Sequence, residues 1–252
     1  MELYNNLRYI FGPARSGTSH IQRSLCDSFD AIGVYEPLRY DMIWGHNSLD
    51  TESAAPPIKQ EFLRRAAREN RIVIAKDVLN IYLTDDCVVD LLMGSYLGHV
   101  NPVFVFRDPL KAGASIKARN WYPIKSYIEN YQIAYRAYER LRDQGRSVMA
   151  ITHEQFMAHA KDITSKVADF WDVEVVSNGG HWTKSYYDTV HYEAEQKAEV
   201  TNSGSQEMIL GSEGAPKISR HSPQDHILSA AEVAQLEETV VPLYKRVFRQ
   251  SL

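Results

Sequence analysis

Cysteine is scarce in this chain of 252 residues: Cys26 and Cys87 are its two thiols. Each sits in a stretch that reads as helix. That excludes a disulfide framework and a cysteine-rich zinc site, and predicts two small apolar packing residues. Charge of one sign is also lacking, because 28 basic side chains meet 32 acidic ones for a net charge of −4. Bulk attraction to nucleic acid or to an anionic membrane is therefore not expected, and an anionic ligand must be held by locally placed Arg and Lys. No apolar run approaches the ~20 residues that span a bilayer, and residues 1–6 lack the basic-then-apolar pattern of a secretory leader. The expectation is a soluble, cytoplasmic protein. The histidines at 181, 191, 221 and 226 have no metal-ligand spacing, so no metal site is expected. With 44% hydrophobic and 24% charged residues, the composition is that of a globular protein, and the length suits one α/β domain over 1–252, or one domain with an elaborated cap.

One lysine is missing where it would matter most. The apolar run Leu7–Phe11 leads into Gly12-Pro13-Ala14-Arg15-Ser16-Gly17-Thr18-Ser19. This has the G-x-x-x-x-G spacing of a phosphate loop, yet Thr18 stands at the lysine position and the cation has moved inside the loop, to Arg15. Amide groups of a glycine-containing turn and a helix N-terminus still converge on an anion there. A phosphate-type ligand fits; a nucleoside triphosphatase without its lysine fits poorly.

Apolar strands at 7–11, 31–35, 71–75, 102–106 and 147–151 alternate with helices at 16–29, 61–70, 85–97, 124–143 and 154–171. A closing helix spans 230–249. Asp108-Pro109 is an N-cap followed by a first-turn proline and starts a further helix. Tyr127, Tyr131, Tyr135 and Tyr138 recur at helical spacing and predict a core face. Strands alternating with helices argue for a mostly parallel sheet with helices on both faces. Segments 42–57 and 177–223 are polar and weakly periodic, and read as substrate-facing insertion and lid. Ligands of such sheets bind beyond the carboxyl ends of the strands. In order, those ends carry the Gly12–Ser19 loop, Glu36, Lys76-Asp77 and Arg107-Asp108.

On these residues the chain resembles the sulfotransferases that use 3′-phosphoadenosine-5′-phosphosulfate (PAPS), whose architecture is like that of the P-loop NTPases. Arg15-Ser16-Gly17-Thr18-Ser19 resembles their 5′-phosphosulfate loop. Arg107 with Ser115 eight residues later resembles their 3′-phosphate site. Gly211-Ser212-Glu213-Gly214-Ala215-Pro216-Lys217 resembles the G-x-x-G-x-x-K loop of some cytosolic members. The resemblance implies donor contacts from Gly12, Ala14, Arg15, Ser16, Gly17, Thr18, Ser19, Arg107, Ser115, Gly214 and Lys217, with Arg220 as an alternative to Lys217. It implies Glu36, in a Glu-Pro setting, as the base. Lys76-Asp77 resembles the Lys-Asp of protein-tyrosine sulfotransferases and implies that Lys76 and Arg15 stabilise the transferring group. PAPS would be the donor and 3′,5′-ADP (PAP) the product. The acceptor would be a hydroxyl, or an amine, of a small molecule or glycan-like compound. Two other readings stand beside this one: a P-loop kinase or other NTP-dependent phosphotransferase, and a nucleotide-binding protein without catalysis. Oligomeric state leaves no trace in the sequence.

Overall fold

In the computed structural model the described residues are 4–38, 60–81, 83–94, 97–177, 190–191 and 228–250. The insertion expected at 42–57 lies outside them. So does the lid expected at 177–223, apart from Ser177 and residues 190–191. Gly214, Lys217 and Arg220 lie outside with it.

Five parallel strands form the sheet: β1 (Leu7–Pro13), β2 (Ile32–Tyr35), β3 (Val73–Leu79), β4 (Pro102–Phe106) and β5 (Met149–Thr152). Their order is β5-β4-β1-β3-β2, and the two-residue β6 (Val190–His191) adds to β2, also parallel. The helices are α1 (Thr18–Ser28), α2 (Gln60–Glu69), α3 (Asp85–Met93), α4 (Pro109–Ala118), α5 (Ile124–Asp143), α6 (His153–Ala158), α7 (Ala160–Trp171), α8 (Ala230–Thr239) and α9 (Val241–Gln250). From β1 the chain moves one way to reach β2; from β2 to β5 it moves the other way. Right-handed crossovers therefore put α1 on one face and α2 to α5 on the opposite face.

Alternation along the strands feeds both cores. Ile10, Ile74, Val103 and Val105 pack with Ile21 and Leu25 of α1 and with Ile163 and Val167 of α7. Tyr9, Phe11, Phe104 and Phe106 face α3, α5, α8 and α9. The tyrosines of α5 form part of this second core, as their spacing predicts, with Tyr131 5.6 Å from the Phe106 ring centre. Cys26 and Cys87 are free thiols, and Cys26 is buried in the first core.

Several element boundaries differ from the sequence expectation. β3 does not stop at Ala75: its ladder with β1 continues through Phe11↔Asp77 to Pro13↔Leu79, so Lys76 and Asp77 lie inside the strand. α1 starts at Thr18 rather than Ser16, since Arg15 and Gly17 take left-handed φ of 64° and 91° and cannot continue a helix. α3 stops at Met93, where Gly94 turns extended. The 154–171 helix is two helices broken at His159 (φ −138°, ψ 46°). The closing helix breaks at Val240, two residues before Pro242, whose missing N–H suits a first turn. The Asp108 cap is found as expected: its side chain accepts from Leu110 N–H at 2.9 Å. Among the described residues no helix is long and apolar enough to cross a membrane.

Candidate functional site

β1 delivers the loop to the carboxyl edge of the sheet. Ser16 N–H closes a turn on the Pro13 carbonyl (3.2 Å), and the left-handed residues Arg15 and Gly17 turn the chain so that α1 opens at Thr18 without a capping side chain. Amide donors and the positive end of the helix dipole thus point out of the sheet edge. Both loop glycines are sterically required. A Cβ on Gly12 would lie 2.4 Å from the Val105 carbonyl oxygen, and one on Gly17 would lie 2.3 Å from the His153 ring. Two buried polar atoms here make no hydrogen bond: Ser16 Oγ and Arg107 Nε. A serine hydroxyl and an arginine N–H are both groups that can donate to an anion.

The cations gather on one side of the loop. Arg15 Nε donates to Ser115 Oγ at 3.0 Å, and Arg107 Nη1 donates to the Arg15 carbonyl at 3.3 Å. The structure therefore brings together Arg15, Arg107 and Ser115, which lie up to a hundred residues apart. Ser115 meets the loop arginine, and Arg107 stands just before the N-cap of the same helix. Burial first, then the nearby Arg119 and Arg107, lower the Arg15 pKa to about 10, so it stays charged at neutral pH. Its guanidinium lies 5.2 Å from the Trp121 ring centre. Behind the loop, His153 packs edge-on against His20 at 5.9 Å. Burial and then neighbouring arginines (Arg23 at His20, Arg107 at both) lower the pKa of His20 to about 4, and burial, Arg107 and His20 that of His153 to about 3. Both rings are neutral at pH 7. The sequence reading missed them; His20, directly after the loop hydroxyls, was the one with a positional signal.

Glu36 and Lys76 meet on the other side. Glu36 follows β2 with a left-handed φ of 42°, and its N–H is held by the Lys76 carbonyl at 2.7 Å. Lys76 Nζ donates to Glu36 Oε1 at 2.6 Å, with side chains only 1% and 2% exposed. That ammonium also lies 3.7 Å from the Tyr35 ring centre. Asp77 on the opposite strand face accepts from Tyr9 OH at 2.5 Å and from Leu38 N–H at 3.2 Å, fixing the chain just after Glu36. Burial, then the Asp77 charge, raises the Tyr9 pKa far above its ordinary value.

The Arg107-Asp108 turn is held from behind. Asp108 N–H donates to the Glu154 carboxylate at 3.3 Å, and Tyr244 OH of α9 donates to the same carboxylate at 3.0 Å. Tyr131 OH donates to the Arg107 carbonyl at 3.4 Å. Glu154 and Tyr244 were also missed, because a contact between the start of α6 and the last helix has no local signature.

No family model matches the sequence. No curated protein matches it either. Among solved structures, the sulfotransferase domain from the curacin biosynthetic pathway matches 97% of this chain and 96% of its own length, at 10% identity and a TM-score of 0.55. A sulfotransferase from Alicyclobacillus acidocaldarius matches 78% of this chain and 90% of its own, at 16% identity and a TM-score of 0.46. Retinol dehydratase in a complex with retinol and PAP matches 96% and 82%, at 14% identity and a TM-score of 0.46. The parallel sheet, the loop after β1 and the near full-length match to the curacin-pathway domain agree: this chain has the sulfotransferase fold.

Proposed function

We propose that this protein transfers a sulfuryl group from PAPS to a hydroxyl of a small-molecule or glycan-like acceptor and releases 3′,5′-ADP. The observation that carries this reading is the convergence of Arg107 and Ser115 on the loop arginine Arg15. A donor with anions at both ends needs basic and hydroxyl groups beyond the loop itself, and Arg107 and Ser115 are such groups beside it. Gly12, Ala14, Ser16, Gly17, Thr18 and Ser19 would cradle the 5′ end, and the orphaned Ser16 Oγ and Arg107 Nε are groups it would satisfy. Arg107 offers a planar fork for the 3′-phosphate, with Ser115 beside it. By resemblance, Gly214 and Lys217, or Arg220, would add contacts to that phosphate.

The donor supplies an activated sulfuryl group; the chain supplies position and charge. Arg15 stabilises the charge that develops on the leaving 5′-phosphate. Glu36 takes the acceptor's hydroxyl proton as the new O–S bond forms and the bond to the phosphate oxygen breaks. Lys76 pairs with the Glu36 carboxylate, and by turning toward the transferring group would free that carboxylate to accept. Calorimetric titration tests the reading. The protein should bind 3′,5′-ADP far more tightly than 5′-AMP or magnesium ATP, and Arg107→Ala should weaken 3′,5′-ADP far more than 5′-AMP. Equal losses for both nucleotides would remove the 3′-phosphate assignment, and preference for magnesium ATP would restore a phosphotransferase.

A further inference from the structure

The proposed donor needs a cation at each end, and the described residues place a third cation beyond them. α4 starts beside Arg107, and two turns along it Ser115 meets Arg15. One turn further, on the same helix face, stands Arg119. Its guanidinium lies 5.7 Å from the Trp121 ring centre, so Arg119 and Arg15 share one indole. The helix end produces this arrangement: Asn120 takes a left-handed φ of 49°, and Trp121 N–H folds back to the Ile116 carbonyl at 3.4 Å. After burial, Arg119 is the charge that weighs most on Arg15, ahead of Arg107. The cations thus run Arg107, Arg15, Arg119 along a helix whose caps are roughly 16 Å apart. If the donor is held between Arg107 and the loop, Arg119, a further turn along α4, is left for the other substrate. The acceptor would then present its far end to the Arg119 side.

The wall there, Trp121, is flat and apolar. Trp121 is 44% exposed and lies beside the half-buried Arg15. Tyr35 and Tyr122 both lie near enough to Arg15 to act on its charge. The geometry points to an acceptor that carries its own anionic group on a flat, apolar body, with Arg119 reading the charge and Trp121 forming the wall. This rests on the donor site proposed above: once Arg107 and Arg15 are taken up by the donor, the next cation in line is Arg119. A hydroxy-aromatic acid meets the cation and the indole together, whereas an uncharged sugar meets neither well.

The test uses the whole protein saturated with 3′,5′-ADP, titrated calorimetrically with 4-hydroxybenzoate and with its neutral twin 4-hydroxybenzamide. The carboxylate should bind roughly tenfold to hundredfold more tightly, the span of a charge-assisted contact. Arg119→Ala should erase that gap with 3′,5′-ADP affinity kept, and Arg119→Glu should reverse it in favour of tyramine. Equal binding of the two probes, or binding of neither, overturns the inference while the donor site stands. Loss of 3′,5′-ADP affinity in Arg119→Ala equal to the loss of the probe also overturns it, by moving Arg119 into the donor site. Failure of the wild-type protein to bind 3′,5′-ADP would instead remove the donor reading beneath it.

Discussion

Glu36 and Lys76 lie 2.6 Å apart, almost wholly buried, so a test of the base has to separate chemistry from folding. Glu36→Gln alone leaves a buried ammonium facing a neutral amide. Breaking one partner of such a pair costs about 3–5 kcal/mol, whereas replacing both by neutral groups of similar volume costs little. Thermal melts should therefore show Glu36→Gln strongly destabilised and the Glu36→Gln/Lys76→Met pair close to wild type. Both should lose turnover, with 3′,5′-ADP binding kept in the double variant; turnover that persists in either would remove Glu36 as base. The two neutral histidines give a pH dependence. Their folded pKa values, about 4 for His20 and about 3 for His153, lie below the ordinary 6.5, so between these limits the unfolded chain binds more protons. The stability they contribute is complete above pH 6.5 and declines as pH falls, by roughly 1 kcal/mol per pH unit for each ring. His153→Gln should flatten the decline between pH 6.5 and 4.5 in urea titrations; an unchanged slope would mean that His153 takes no part.

Helices and strands here position charges through contacts that differ in how far they reach along the chain. The Arg107-Asp108 turn rests on Glu154 at the start of α6, which in turn holds Tyr244 of α9. Tyr244→Phe deletes one hydroxyl remote from the proposed phosphate site. It should weaken 3′,5′-ADP binding a few-fold, about 1 kcal/mol for a lost bond to a charged group, while 5′-AMP binding holds. Tyr244→Leu weakening both nucleotides equally would show a packing effect instead. The loop, the Asp108 cap and the tyrosine face of α5 were legible because each is local: a glycine spacing, a capping dipeptide, a helical period. The full length of β3 was not legible, since Lys76 and Asp77 look like the polar end of a strand. They are buried because Glu36 and Tyr9, forty and sixty-eight residues away, supply partners. The break at His159 carries no glycine or proline to announce it, whereas the break before Pro242 did have that signal. Of the candidate site, Arg15, Ser115 and Arg107 were identified as types at a spacing; their mutual contact was a matter of three-dimensional closure.

At the scale of the whole molecule, the reversal in the order of strand addition leaves β1 flanked by β3 and β4, so the two halves of the site rise from neighbouring strands. The opposite margin needs cover. β5 ends the sheet, and α9 packs on it, with Val247 fully buried and the Phe248 carbonyl accepting from Gln155. Removing residues 241–252 should uncover β5 and drive association, since an unprotected edge strand pairs with other chains; light scattering of the shortened protein would reveal it, and a monodisperse monomer would refute it. Arg15 remains to be placed in this setting. Its φ of 64° belongs to the region that glycine enters freely and other residues enter at about 1–2 kcal/mol. On backbone grounds, folding would be served better by glycine. A laboratory selection for heat resistance, blind to ligand, should therefore erode this loop early, and the arginine standing there records a demand other than folding.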